Sequence, residues 1–388
     1  MSSPSYKVTK KTLLLPLVGI LAFLIYLYLF RVDVPTILTY AQQMNLMTYS
    51  LAVLLILAEA FVFSISWHFL LHFLSIKISL VKQYLYIWYG VYIDIIIPAE
   101  SVSSEIVKIY LVAREQNAEE QNGITGKVVA TLVVQRLMGM GVNIAGLVAG
   151  IIILWTEKQV SGIIFNLASL LTFLTAILLI LLSMLCVKEN WTFKVIDVLI
   201  RFAAFISRGR WKLQKLKEEA LKAAKIFHGS MKQFAHAPKT VSASLIFYTF
   251  SWFLNQCLVY LVFLSFGYTM PWGIIILTSS IVVAIKSVPI GIPFEVGLPE
   301  ITMTVLYNLL GVPLEIAAIS TIFIRILTVW LKFFIGFAAQ QLLEFKAIKT
   351  RNRGTSVLSH IGLENRGSAF WRCLNEHRHR KRGNPAFG

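Results

Sequence analysis

The chain has 388 residues, 57% of them hydrophobic and 14% charged, whereas a soluble protein carries about 25% charged residues because its surface must face water. That balance argues against a conventional soluble enzyme, a disordered hub and a disulfide scaffold, and the scattered Cys186, Cys257 and Cys373 form no C-x-x-C pair. The excess of 36 Lys plus Arg over 19 Asp plus Glu gives +17, which in a soluble chain would raise nucleic acid as a partner. Its placement points elsewhere. Residues 1–11 carry three lysines, Lys188–Lys239 twelve bases against four acids, and residues 344–388 ten bases against three. Basic segments flanking apolar runs are the positive-inside pattern, so topology and anionic lipid account for the charge without nucleic acid.

In chain order, a basic cytosolic N-terminus (1–11) precedes the apolar run Thr12–Phe30, about 28 Å as a helix and therefore just long enough to cross. It lacks a small-residue cleavage site and reads as a retained signal-anchor. Asn45–Ile76, Lys127–Trp155, Gly162–Val187, Thr240–Phe266 and Pro313–Leu343 are five further spans, making six. Two apolar stretches do not read as clean spans. Val81–Pro98 holds Asp94 and ends before a polar run; Gly273–Pro299 holds Lys286 and then Pro289, Gly291, Pro293, Gly297 and Pro299. Irregular backbone at membrane depth persists only when shielded by protein or lining a wet cavity, so both are expected to be broken or re-entrant. The expected architecture is an all-α polytopic membrane bundle, membrane domain 12–343, with a basic cytosolic tail over 344–388.

Between the halves, the basic loop 188–239 contains Arg208–Phe234, whose apolar residues recur at three- and four-residue steps. This predicts an amphipathic helix on the cytosolic leaflet, or else one packed under the bundle. The halves echo each other. Ser66-Trp67, Pro98-x-Glu100, Glu105 and Arg136 run in the same order as Ser251-Trp252, Pro293-x-Glu295, Glu300 and Arg325. Repeats over about 45–155 and 240–343 would start on opposite sides of the membrane, the inverted arrangement that places transporter sites near the midplane.

Charges inside spans are the strongest functional signal, since each costs on the order of 3 kcal/mol at a helix centre. Arg136 shares a helical face with Asn143, and Arg325 with Lys332. An arginine fork suits a phosphate or carboxylate; the plain alternative is internal pairing, Arg136 with Glu105 or Glu100 and Arg325 with Glu300 or Glu295. Ser103 and Ser104 can cap a helix carrying Glu105, and Pro299 suits the first turn of one carrying Glu300. Such helix starts favour an anion; the plain alternative is that the glutamates complement the helix dipole. Glu59, alone in its run, is expected to pair with a neighbour. His68 and His72 share a face, but no further ligand cluster accompanies them, so polar lining is favoured and neither metal nor cofactor is expected.

At these residues the chain resembles the lysylphosphatidylglycerol synthase transmembrane-region family of flippase-like membrane proteins. The resemblance rests on Pro98–Val112, Gln135-Arg136-Leu137, Pro289–Glu300 and Arg325, and spans roughly residues 10–345. Ser104 stands where the family has glycine before the glutamate, and Lys108 where it has arginine; Gly297-Leu298-Pro299-Glu300 matches the second motif. The resemblance implies movement of a lipid or lipid-linked headgroup between leaflets, without the synthase's aminoacyl transfer. The expected role is a flippase-like transporter of an anionic phospholipid or polyprenyl-phosphate-linked headgroup in the cell membrane, both termini cytosolic. Its candidate site comprises Glu100, Ser104, Glu105, Lys108, Arg136, Asn143, Glu295, Glu300, Arg325 and Lys332. The rivals are a membrane glycosyl- or headgroup transferase and an accessory subunit.

Overall fold

The structure is a computed structural model that describes residues 24–30, 33–97, 102–115, 121–157, 162–206, 213–286 and 297–345. The chain divides into two compact units, residues 1–337 and 338–388, the second described only over 338–345. Among the described residues the secondary structure is helical, with no strands.

Five helices are long and apolar enough to cross a membrane: Leu46–Phe73, Gly123–Thr156, Gly162–Val187, Pro238–Ser265 and Leu314–Phe345. They coincide with five of the six expected spans. The sixth, Thr12–Phe30, falls largely outside the described residues; its last stretch, 24–29, is helical. In chain order the helices are α1 (Val34–Gln43), α2 (Leu46–Phe73), α3 (Leu80–Ile96), α4 (Val102–Arg114), α5 (Gln121–Thr156), α6 (Gly162–Val187), α7 (Glu189–Ile206), α8 (Leu213–Ala235), α9 (Pro238–Ser265), α10 (Trp272–Lys286), α11 (Leu298–Leu309) and α12 (Leu314–Arg325). A π-helical turn, Ile326–Leu331, continues α12.

Helices α2 and α9 pack along their lengths and run antiparallel. The Asn45 N–H at the start of α2 donates to the carbonyl of Ser265 at the end of α9, while Ser66, late in α2, exchanges hydrogen bonds with Ser244, early in α9. With no water in a bilayer core, hydroxyl-to-carbonyl bonds of this kind hold helices together where apolar contact alone does not discriminate protein from lipid.

Each of these helices leads into a short helical hairpin. Helices α3 and α4 run antiparallel: Lys82 and Tyr86 near the start of α3 bond to Glu115 just past α4, while Asp94 near the end of α3 accepts from Ser103 at the start of α4. The hairpin therefore leaves from the end of the bundle where α2 finishes and returns to it, and α5 starts there too, since Lys127 donates to the carbonyl of Leu74. Helices α10 and α11 form the counterpart. Phe263, near the end of α9, packs edge-on against Tyr307, near the end of α11, so this hairpin opens at the opposite end. Both expected re-entrant segments are thus helical pairs; the linkers 98–101 and 287–296 lie outside the described residues.

Helices α7 and α8 lie where α6 ends. Lys217 of α8 and Arg201 of α7 both bond the Asp197 carboxylate of α7, and Lys217, followed by Arg201, holds its pKa below the ordinary carboxylate range. The sequence left the stripe of the second of these helices either on the leaflet or packed under the bundle, with the leaflet favoured. Ala224, Phe227 and Phe234 of α8 are instead buried in protein, whereas Val195, Val198, Leu199, Phe202 and Phe205 of α7 are exposed.

Candidate functional site

A polar recess, a cavity of about 390 Å³, lies among α2, α3, α4, α5, α6, α9 and α10 and is reached also by Lys332. Its charged lining is balanced in number: Lys108, Arg136 and Lys332 against Glu59, Asp94 and Glu105. Each charge has a distinct situation. Arg136 Nη1 donates to Glu105 Oε1 at 3.1 Å, with the two side chains 32% and 27% exposed. Lys332 Nζ meets Glu59 Oε2 at 3.1 Å. Asp94 accepts from Ser103 at 2.6 Å. Lys108 is 8% exposed, its Nζ 5.7 Å from the centre of the Phe63 ring and 5.9 Å from that of Trp67, and it makes no ion pair with any described carboxylate. Aromatic faces attract an ammonium but do not neutralise it.

The approach of α4 to α3 explains how Lys108 gets there. A Cβ on Gly90 of α3 would lie 2.5 Å from Ser104 Oγ and 3.3 Å from Lys108 Cε, so only glycine lets the two helices close to this distance. On the far side a Cβ on Gly139 would lie 2.5 Å from the Tyr248 hydroxyl, which brings α9 against α5. Three polar atoms of the lining residues, Trp88 Nε1, Gln135 Nε2 and Asn143 Oδ1, are buried without a hydrogen-bond partner among the described residues. Buried polar atoms are normally satisfied, so three together around one cavity represent bonding capacity for a guest.

Glu300 and Arg325 lie elsewhere and do not line this cavity. Gly297, at φ 107° in the left-handed region open to glycine, precedes α11; Pro299 sits in its first turn, and Glu300 Oε2 accepts from the Gly297 N–H at 2.7 Å. Glu300 Oε1 accepts from Arg325 Nε at 2.5 Å, the side chains being 5% and 10% exposed. Beside this pair Tyr26 shares a hydrogen bond with Thr304 and donates to the carbonyl of Ala318. The same device therefore occurs in both halves: a glutamate in the first turn of the returning hairpin helix paired with an arginine in the following long helix. In the first half the pair is open to a cavity, and in the second it is sealed.

Of the residues nominated from sequence, Ser104, Glu105, Lys108, Arg136, Asn143 and Lys332 come together around the cavity; Glu100 and Glu295 lie outside the described residues. Ser103 and Ser104 fall inside the first turn of α4 rather than ahead of it, where Ser103 serves Asp94. Lys332 does not share the face of Arg325. The π turn between them takes up about one extra residue, roughly 100° of rotation, which swings Lys332 toward Glu59. Glu59 thus has the expected kind of partner, but one that spacing does not reveal. His68 bonds with Gln83. Of the two charges expected to interrupt the broken segments, Asp94 lines the cavity and Lys286, at the end of α10, does not. Gly90, Trp88, Gln135 and Tyr248 were not nominated. A lone glycine in the aromatic run of α3 was the available signal for the first.

Comparison with known proteins identifies the family. Residues 14–336 match the lysylphosphatidylglycerol synthase TM region. The chain is similar to a UPF0104 membrane protein of Pyrococcus horikoshii, 23% identical over 291 residues that cover 74% of this chain and 84% of that one. No solved structure matches. The match over most of its length, on a bundle of membrane-crossing helices, makes the chain a membrane protein of the lysylphosphatidylglycerol synthase TM-region family.

Proposed function

We propose that this protein is a flippase-like transporter that takes the phosphate-bearing headgroup of an anionic phospholipid or polyprenyl-phosphate-linked lipid into the cavity of its first half. It resides in the cell membrane with both termini cytosolic. The observation that carries the reading is Lys108, a buried ammonium in no described ion pair, one helix away from an arginine whose ion pair is partly open. A phosphate arriving between Lys108 and Arg136 gives Lys108 a direct ionic partner, and Glu105 is released from Arg136 as it does so. Trp88, Gln135 and Asn143 provide neutral hydrogen-bonding capacity, and a cavity of about 390 Å³ suits a headgroup while acyl chains stay in the membrane. The sealed Glu300–Arg325 pair holds the second hairpin in place during the cycle.

The test is leaflet exchange of phosphatidylglycerol labelled on its tail, in vesicles containing the purified protein. A charged hydrogen bond is worth about 1.5–3 kcal/mol, so Lys108→Ala and Arg136→Ala are each expected to slow exchange by about tenfold or more. Folded variants that both exchange lipid at the wild-type rate would remove these residues from the mechanism.

A further inference from the structure

A second cavity, about 330 Å³ in volume and open on one side, lies outside the polar site. Its walls come from two membrane spans and two helices of the basic loop: Val129 and Val133 of α5, Leu182 and Leu185 of α6, Val195 and Ile196 of α7, and Ala220, Ala223 and Ala224 of α8 contribute. The lining is apolar apart from Thr192, whose hydroxyl is already donated to the carbonyl of Leu185. Nothing in it asks for a polar guest. Its depth is fixed by the helices that wall it. Val129 and Val133 lie in the first turns of the span beginning at Gly123, and Leu182 and Leu185 in the last turns of the span ending at Val187, so the cavity sits just inside one membrane surface, where acyl chains begin.

The neighbouring surface of α7 has matching chemistry. Val195, Val198, Leu199, Phe202 and Phe205 recur at three- and four-residue steps as one exposed stripe, Phe202 61% and Phe205 81% exposed. Lys194 and Arg201, both exposed, border it, and Lys188 stacks over the Trp191 ring at the head of the helix. An apolar stripe with cations along its edge and an aromatic at its end is the pattern of a helix lying in a membrane interface. Val195 belongs to both features, so the stripe and the cavity are continuous.

We propose that α7 lies in the membrane interface and, with α8, roofs a site for one acyl chain of an anionic phospholipid, whose phosphate rests at the cationic edge of α7 beside Lys194. The site is separate from the headgroup cavity and stands whether or not that cavity transports. It is tested on the full chain in nanodiscs of phosphatidylcholine and phosphatidylglycerol, with a trace of phosphatidylglycerol carrying a diazirine midway along one acyl chain. After irradiation the labelled peptides are mapped. Lipid that merely surrounds the bundle marks exposed α6 residues such as Ile180 and Leu181, whereas Ala224 of α8 is 6% exposed and is reached only through the cavity. The expected result is label on the Ala220–Phe227 stretch of α8. Filling the cavity from either wall, by Ala220→Phe or by Val133→Phe, is expected to cut that label by about tenfold while the α6 label stays constant. Label on α6 without label on α8 in the wild-type protein overturns the proposal even where neither filled variant folds. So does α8 label that survives both fillings, and so does a particle holding two chains in which Phe202 and Phe205 take no label, which would assign the stripe to a second copy.

Discussion

Two glutamate–arginine pairs built to the same plan differ in burial, and that difference sets how much each should contribute to stability. Glu300 and Arg325 are 5% and 10% exposed, and Glu300 also accepts from the N–H of Gly297 ahead of α11. Removing one member of such a pair strands a charge and costs about 3–5 kcal/mol, whereas replacing both by apolar groups is often near neutral. Glu300→Leu is therefore expected to lower the melting temperature of the purified protein sharply, and Glu300→Leu with Arg325→Met to recover much of the loss. Glu105→Gln, at a pair roughly a third exposed, is expected to cost about 1 kcal/mol or less. Equal melting losses for Glu300→Leu and Glu105→Gln would refute the distinction. Both pairs could be anticipated from sequence because an arginine in an apolar run needs a partner and each glutamate stands alone in a first helical turn. The Glu59–Lys332 pair could not be: its members are far apart in the chain, and helical periodicity placed Lys332 with Arg325, whereas the π turn at Ile326–Leu331 rotates it away. Lys108 was nominated as a cation, but its lack of an ion pair depends on where the fold places the carboxylates around it.

At the scale of helices, the relation between the halves is carried by close contacts at glycine. A Cβ on Gly150 of α5 would lie 2.8 Å from Leu277 Cβ and 2.9 Å from the Leu277 backbone in α10; one on Gly336, in the span that continues from α12, would lie 2.5 Å from the Trp88 carbonyl oxygen and 2.7 Å from Tyr92 Cβ in α3. Leu277 and Tyr92 each follow the Ser-Trp pair of their own half by the same 25 residues, from Trp252 and from Trp67. Thus the long helix of each half presses a glycine onto the first hairpin helix of the other. Because backbone lies on the far side of both contacts, Gly150→Ala and Gly336→Ala force the helices apart and are each expected to cost about 1–3 kcal/mol. Gly141→Ala, in α5 with nothing within 4 Å, is the control and is expected to be neutral or stabilising by up to about 1 kcal/mol. Thermal melting of the three variants in detergent decides it; a Gly141→Ala loss matching the others would mean that glycine in these helices matters for reasons other than packing. The order of elements was readable from hydropathy and breakers. Which amphipathic helix faces lipid was not, because the periodicity of α8 is the same whether its stripe meets a bilayer or the buried side of another helix.

For the whole molecule, the contacts sort the helix ends into two sets, and the charges then orient it. One end of the bundle gathers the finish of α2, the starts of α3 and α5, the finish of α6 and the α7–α8 pair, with Lys77, Lys82, Lys127, Lys188, Lys194, Arg201 and Lys217 around it. The opposite end holds the start of α2, the finish of α9 and the start of α10, with α1 beside them through Tyr40 and Phe266, and Asp33 capping α1. Lysine and arginine in short loops stay on the cytosolic side during insertion, and carboxylates contribute little to that choice. The basic end is therefore expected to face the cytosol. A single cysteine placed at 215, in a background with Cys186, Cys257 and Cys373 replaced, should resist a membrane-impermeant maleimide in intact cells and react after permeabilisation. One at 269, in the turn between α9 and α10, should react in intact cells. The reverse pattern would invert the protein, and equal reactivity of the two sites in intact cells would mean that the hairpins do not open to opposite sides. In the expected orientation the α3–α4 hairpin that carries Lys108 enters from the cytosolic side, so a headgroup reaching the cavity along that hairpin comes from the inner leaflet.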